Sequence, residues 1–390
     1  MQKLYETKER PKRAFLVSIS AGEPSDEPRA KELQGLCETL ELEIIAHEKV
    51  RVREKSPKFC MGSGKAEELS KKAQEMEADL FVFDLDPSPS QQRSWEELSG
   101  IPVVDRQELI IRIFADRAIT REAELQVKLA ELTYFLPRLT HKYIDLSRQR
   151  GGRYGTKGSG ETKFETDRRK IEKRITQLEK DIENVGKQRK MQRQQRQRSN
   201  IPVCAIVGYT NTGKSSLLNV LTGANVLAEN KLFATLDAVT RRYEPIPGKQ
   251  VLLTDTVGFI RQLPHSLIKA FRSTLEEAAL ANILIHILDA SDPDIENNNE
   301  TTLSVLNSLG ARDIPMITLL NKIDRLEVEV EVKVKAKVTV TETEREPEYE
   351  NEETVLEGLL NRFPGSIPVS VKNKTGLDTL NKRIIELAKL

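Results

Sequence analysis

The sequence predicts an α/β protein in several parts: a small parallel α/β subdomain, a helical hairpin, and a second α/β domain opening on a glycine-rich loop. Three observations carry this. Residues 14 to about 118 alternate short apolar runs with helical stretches, the pattern of a parallel sheet covered by helices. Two apolar heptad seams follow. From Ile201 to Leu221 a buried-strand run ends at Gly208, and an amphipathic helix begins near Lys214. Between them Gly208-Tyr209-Thr210-Asn211-Thr212-Gly213-Lys214-Ser215 matches G-x-x-x-x-G-K-[ST] in full. The expected boundaries are 1–118 for the α/β subdomain, 119–186 for the hairpin, 187–200 for a basic linker and 201–390 for the loop domain.

In the first subdomain the strands are expected at Phe15–Ser18, Leu42–Ile45, Leu80–Asp84 and Val103–Asp105. Helical patterns separate them around 28–40, 65–77, 89–98 and 107–116. Gly62-Ser63-Gly64-Lys65 reads as a helix start with a local glycine turn, in preference to a second anion site. Leu125, Leu129, Leu132 and Leu136 then form one seam; Phe164, Ile171, Ile175, Leu178, Ile182 and Val185 form another. They suit two helices packed on each other, the second ending at Gly186. Between them Arg148 to Glu161 holds five glycines and the positive charges of Arg148, Arg150, Arg153 and Lys157. A flexible basic tip follows from that composition, and long loops of this kind are usually functional. Lys187–Asn200 reads as a solvated, basic, glutamine-rich linker. Beyond the loop domain's motifs, valines alternate with charged residues or threonine through 327–346, the period of an exposed or edge strand.

Composition narrows the class. The chain has 390 residues, 31% charged and 5% aromatic, and a net charge of only +1. Residues 145–200 hold 17 Lys/Arg against 8 Asp/Glu, a local +9 against −8 for the remainder. That asymmetry points to an anionic partner for the hairpin. Cys37, Cys60 and Cys204 lack C-x-x-C spacing, so neither zinc nor a disulfide framework is indicated. The charged N-terminus lacks a signal-peptide core, and no run reaches the roughly 20 apolar residues of a membrane span. A cytoplasmic monomer is the expectation, at most loosely associated with a membrane or ribosome.

The glycine-rich loop is suited to phosphates. Glycines bring backbone N–H groups close to the anion, and the helix N-terminus adds positive potential. Lys214 can reach the β- and γ-phosphates, the Ser215 hydroxyl can ligate Mg²⁺, and Ser216 is expected among the nucleotide-binding residues. Further elements follow in the order a GTPase needs. Thr235, in Leu232-Phe-Ala-Thr-Leu-Asp237, can complete the Mg²⁺ shell and sense the γ-phosphate. Asp255 and Gly258 form D-x-x-G at a strand end, the carboxylate holding the metal through water and the Gly258 N–H meeting the γ-phosphate. Asn321-Lys322-Ile323-Asp324 is N-K-x-D, where Asp324 accepts two hydrogen bonds from guanine. Ser370, Val371 and Lys372 supply backbone donors for guanine O6. All lie where open α/β sheets bind ligands. Lys214, Thr235 and Gly258 are the residues expected to act on the reacting phosphate.

Phe259 occupies the place where many Ras-like GTPases carry the glutamine that orients water. Hydrolysis should therefore be slow without a partner. Asn211 either ligates a potassium ion between the phosphates or simply shapes the loop; the sequence leaves both open.

Several longer stretches are more specific: Ser88-Pro-Ser-Gln-Gln-Arg93, Asp105-Arg-Gln-Glu-Leu-Ile110, Thr120-Arg-Glu122 and Leu125-Gln-Val-Lys-Leu-Ala-Glu-Leu132. So are Leu136-Pro-Arg-Leu139, Gly160-Glu-Thr-Lys-Phe-Glu-Thr-Asp-Arg-Arg169 and Asp255-Thr-Val-Gly-Phe-Ile-Arg-Gln-Leu-Pro264. With the nucleotide motifs they resemble the HflX family of translation-factor-class GTPases across nearly the whole chain. The resemblance implies an N-terminal α/β subdomain, a helical hairpin and a Ras-like GTPase domain. It also implies GTP and Mg²⁺, and binding to the large ribosomal subunit, which stimulates hydrolysis. Splitting or rescue of stalled or idle ribosomes under stress is implied too, with Arg148, Arg150, Arg153 and Lys157 meeting rRNA. One departure is Gly158-Ser159-Gly160 where Gly-Pro-Gly is common; the extra C-terminal domain that some members carry after the helix following Lys372 is not expected here. A nucleotide-dependent switch or large-subunit assembly factor with little turnover is the alternative reading.

Overall fold

The computed structural model describes residues 11–20, 26–52, 56–149, 159–197, 201–224, 231–261, 271–326 and 355–389. The chain divides into two compact units, one formed by described residues up to Val185 and the other by those from Gly186 onward.

The first unit holds a four-stranded sheet of order β2-β1-β3-β4, formed by β1 (Arg13–Ser20), β2 (Glu43–Arg51), β3 (Leu80–Phe83) and β4 (Val103–Asp105). All its pairings are parallel. Helices α1 (Asp26–Thr39), α2 (Ser63–Glu75), α3 (Pro89–Ser99) and α4 (Arg106–Arg117) connect or follow these strands. All four expected strands are present, and β2 runs six residues beyond its expected end at Ile45. Phe15, Phe81, Phe83, Phe59 and Trp95 pack as tilted or edge-on rings in the core, and the Trp95 indole donates to the Phe59 carbonyl. The Gly62–Lys65 stretch opens α2, as expected.

The longer sequence motifs hold this unit together. Ser88 and Gln91 make a reciprocal capping box that starts α3. Asp105 caps α4 by accepting from the Glu108 N–H at 2.8 Å, and its other oxygen accepts from Arg138 at 2.6 Å. Arg138 also donates to Gln92 and lies 3.5 Å from the Tyr134 ring. Arg138 belongs to α5 (Arg121–Gln149), so this clamp fixes the first half of that helix against α3 and α4. Burial pushes the Asp105 carboxyl up to about 6, against the pull of Arg138.

The hairpin helices differ from expectation at their ends. Arg148 belongs to α5, and α6 (Ser159–Gln197) begins at Ser159. The expected tip is therefore shorter than Arg148–Glu161; Arg150, Arg153 and Lys157 lie outside the described residues. Gly186 does not end α6, which runs through most of the expected linker. Glycine inside a helix costs about 1 kcal/mol against alanine. The Lys, Arg, Gln and Met residues from 187 to 197 are good helix formers and outweigh that cost. Of the α6 seam, Leu178 is buried, whereas Ile171, Ile175, Ile182 and Val185 are half-buried.

The second unit is a six-stranded sheet of order β10-β9-β8-β5-β7-β6. Its strands are β5 (Val203–Gly208), β6 (Val239–Ile246), β7 (Lys249–Asp255), β8 (Ile283–Asp289), β9 (Met316–Asn321) and β10 (Ile367–Pro368). Only the β6–β7 pairing is antiparallel. Helices α7 (Lys214–Thr222), α8 (Arg272–Ala279), α9 (Ile295–Ser308), α10 (Val355–Arg362) and α11 (Leu377–Ala388) accompany it. Ile206, Leu217, Leu253, Ile285, Leu319 and Ile384 belong to one buried cluster under the glycine-rich loop. The valine-alternating stretch 327–346 lies outside the described residues. The three cysteines are free and buried. No described helix is long and apolar enough to cross a membrane.

Candidate functional site

The parallel register brings strand ends to one edge. Gly208 pairs with Ile287, Ile206 with Asp255, Asp289 with Asn321, and Leu320 with Pro368. The motifs that end these strands therefore converge, as the sequence leads one to expect.

Two glycines are fixed by close approach. A Cβ on Gly208, at φ +147°, would stand 2.4 Å from the Ile287 carbonyl oxygen. On Gly213, at φ +103°, it would stand 2.5 Å from Asn321 Nδ2. A side chain at either place would push the loop off the sheet edge. Asn321 ties three motifs together: its Nδ2 donates to the Thr212 carbonyl at 2.8 Å, and its Oδ1 accepts from the Val371 N–H at 3.1 Å. Lys322 donates to the Asn211 carbonyl at 2.7 Å and pairs with Asp289 at 2.6 Å. Asn211 itself stands at φ +60° with an exposed side chain, which fits the loop-shaping reading directly. Ser370 Oγ donates to Asp324 Oδ1 at 2.6 Å and accepts from Asn373 N–H at 3.1 Å. Lys372 is exposed beside them.

A small cavity lies at the glycine-rich loop. It holds only about 50 Å³ and is lined by Thr210, Asn211, Gly213, Lys214, Ser215, Ser216, Thr235 and Gly258. Lys231, Phe233, Ala234 and Thr256 line it too. The sequence reading did not assign these four; Phe233 and Ala234 stand within the motif that contains Thr235. Ser215 Oγ lies 2.8 Å from Thr235 Oγ1 and 2.6 Å from Asp255 Oδ2, and Thr235 Oγ1 donates to the same oxygen at 3.0 Å. Asp255 is fully buried, its other oxygen lacks a hydrogen-bond partner, and burial pushes its carboxyl up. Two hydroxyls on one buried carboxylate form a hard-oxygen donor set that fits Mg²⁺ completed by phosphate oxygens and water. Among the described residues no group of three or more His, Cys, Asp or Glu could hold a metal. The set fits a cation shared with a nucleotide, not a self-sufficient protein cage.

Lys214 is buried and donates to the Tyr209 carbonyl at 2.5 Å, which Thr212 Oγ1 also meets at 3.1 Å. Burial pushes its ammonium down to about 8; Asp255 opposes the shift and Lys322 adds to it. His286, in the neighbouring β8, is pushed down to about 4 by burial and stays neutral. Nucleotide phosphates would draw the Lys214 pKa back up. Binding should then take up protons above about pH 8, and affinity should fall as pH rises from there. Calorimetry in two buffers of different ionisation enthalpy measures that uptake; zero uptake would remove Lys214 from phosphate contact.

The D-x-x-G segment lies against the loop. Thr210 N–H donates to the Phe259 carbonyl at 2.8 Å and Phe259 N–H to the Gly208 carbonyl at 3.1 Å. Phe259 is buried. Arg261 N–H donates to the Tyr209 hydroxyl at 2.9 Å, and the Arg261 guanidinium pairs with Asp294 and donates to Asn298.

The chain is similar to known proteins over most of its length. Residues 27–115 match the family described as GTP-binding GTPase N-terminal, 117–196 the GTP-binding GTPase Middle Region, and 203–322 the 50S ribosome-binding GTPase family. The GTPase HflX of Akkermansia muciniphila is 47% identical over 336 residues, covering 82% of this chain and 76% of that protein. The GTPase HflX of Escherichia coli K12 is 41% identical over 314 residues, covering 80% and 74%. The crystal structure of SsGBP with GDP has the same fold, at a TM-score of 0.50 and 25% identity over 97% of this chain and 98% of that one. With its G-x-x-x-x-G-K-S and N-K-x-D motifs and these relatives, the chain is a GTP-hydrolysing enzyme and belongs to the HflX family of GTPases.

Proposed function

We propose that this GTPase binds the large ribosomal subunit in its GTP state and splits or rescues stalled and idle ribosomes under stress. The observation that carries the reading is the match of residues 203–322 to the 50S ribosome-binding GTPase family. GTP lies along the shared strand edge, with Gly208–Ser216 around the phosphates and Asn321, Lys322, Asp324, Ser370, Val371 and Lys372 around the base. Ser215 and Thr235 would ligate Mg²⁺ and Asp255 would hold it through water. The ion, when bound, neutralises charge on the β- and γ-phosphates. Lys214 and the Gly258 N–H meet the γ-phosphate, and Asn211 is the candidate potassium ligand.

Turnover is slow in isolation, because buried Phe259 offers no polar group to an attacking water. The basic tip supplies the RNA contacts through Arg148, Arg150, Arg153 and Lys157, since RNA is gripped largely through phosphates and shape. Cosedimentation with large subunits in GTP, GDP and a non-hydrolysable analogue tests the partner. Binding should follow the triphosphate, and subunits should accelerate hydrolysis, more in potassium than in sodium. Changing the four basic residues to alanine should leave GTP affinity unchanged, weaken ribosome binding and flatten its salt dependence. Absence of nucleotide-dependent binding would refute the partner; unaltered binding by the quadruple variant would refute only the tip.

A further inference from the structure

We propose that Thr210 holds the attacking water during GTP hydrolysis, in the role that Phe259 cannot perform. The proposal rests on the assignment of GTP to this loop. Five hydroxyl residues line the phosphate-end cavity: Thr210, Ser215, Ser216, Thr235 and Thr256. Ser215 and Thr235 are engaged with Asp255, and Thr256 Oγ1 donates to the Ile206 carbonyl at 2.7 Å. Thr210 Oγ1 is buried and has no hydrogen-bond partner. A buried hydroxyl left unpaired is destabilising, and a group that meets it only in the loaded site accounts for its retention.

Position separates Thr210 from Ser216. A Cβ on Gly258 would stand 2.9 Å from both Thr210 Cα and Cγ2 and 3.0 Å from Lys214 Nζ, its three nearest heavy atoms. Thr210 is therefore wedged beside the two groups assigned to the γ-phosphate. Its N–H is also bonded to the Phe259 carbonyl, so Thr210 sits where the loop and the D-x-x-G segment meet. The loop cradles the leaving-group side of the γ-phosphate. A water attacking in line must come from the opposite side, beneath the D-x-x-G segment. The Thr210 side-chain atom on that side is its methyl Cγ2; rotation about χ1 exchanges methyl and hydroxyl, and Oγ1 so turned can accept one water hydrogen and aim the oxygen lone pair at phosphorus. The water oxygen bonds to the γ-phosphorus as the bond to the β–γ bridging oxygen breaks. The electron pair leaves with GDP, and the water's proton ends on the released phosphate. Thr210 stays neutral throughout and acts by position alone.

The test uses the full chain carrying Thr210→Val, Thr210→Ala or Thr210→Ser. GTP affinity is measured by equilibrium binding, and hydrolysis by single turnover with and without large ribosomal subunits. Thr210→Val keeps the shape and removes the unpaired hydroxyl, so it should melt at or above the parent temperature. It should bind GTP within about twofold of the parent and hydrolyse it about 10- to 100-fold more slowly. Thr210→Ala should slow hydrolysis as much, and Thr210→Ser should keep a rate near the parent's. Parent-like hydrolysis by the Val or Ala variant would overturn the proposal, as would a Ser variant as slow as Val. A parent protein that binds no GTP would instead overturn the loop assignment beneath it.

Discussion

Lys214→Ala should abolish tight GTP binding while leaving the free protein at least as stable as the parent. The two halves of this result come from the same burial. The Lys214 ammonium is enclosed, and its pKa is pushed from 10.5 down to about 8. At neutral pH the free protein therefore holds a charge that burial disfavours by roughly 3 kcal/mol. The sign follows from linkage. With the folded value depressed, the penalty is fully present below about pH 8 and fades as pH rises towards the unfolded value. Truncation removes the charge and leaves a small cavity, and these effects oppose each other. The Tyr209 carbonyl is not orphaned, since Thr212 Oγ1 still donates to it. Binding has no such compensation. The variant loses a charge-assisted contact to the phosphates, of about 3 kcal/mol or more, which is about a hundredfold or more in affinity. Thermal melting and GTP titration on the same preparation measure both halves. Near-parent GTP affinity, or a large drop in melting temperature, would show that Lys214 serves the fold and not the phosphates.

Local signals made most of the two sheets readable. The first four strands lie in short apolar runs, and the helix starts carry caps at Ser88 and Asp105 that are written in the sequence. The nucleotide motifs end strands, so a parallel sheet necessarily gathers them; Asp289 paired with Asn321 and Ile206 with Asp255 is that gathering seen residue by residue. What sequence hid was of two kinds. Gly186 reads as a terminator because a local rule penalises it, yet helix formers on both sides carry α6 through. Lys231 and Asp289 belong to the site through tertiary placement, with no motif to announce them. The sequence also marks Phe259 as unfit to orient water. It cannot show that Phe259 is buried and backbone-paired to the loop, because that pairing joins residues about fifty positions apart.

Asp324→Asn should move the base preference from guanine to xanthine. Asp324 is half-buried at the sheet edge, and the Ser370 hydroxyl donates to its Oδ1 at 2.6 Å. An asparagine oxygen can keep that Ser370 bond, so the local fold should survive the change. Recognition should not. A carboxylate accepts from both guanine N1–H and the 2-amino group, whereas an amide offers one acceptor and sets its own N–H₂ donor against the 2-amino group. Two donors then face each other in a desolvated site, which costs GTP about 3 kcal/mol or more. Xanthine replaces the 2-amino group by an oxygen that accepts from the new amide, restoring both hydrogen bonds. The parent should reject XTP for the converse reason, because its carboxylate would face that oxygen. Competition of GTP, XTP and ATP against a fluorescent nucleotide, for parent and variant, reads the change directly. The crossover should exceed about a hundredfold in the GTP/XTP affinity ratio. ATP should remain weak for both proteins, since adenine presents neither donor in that arrangement. A variant that still prefers GTP would remove Asp324 as the base reader, whatever its effect on absolute affinity.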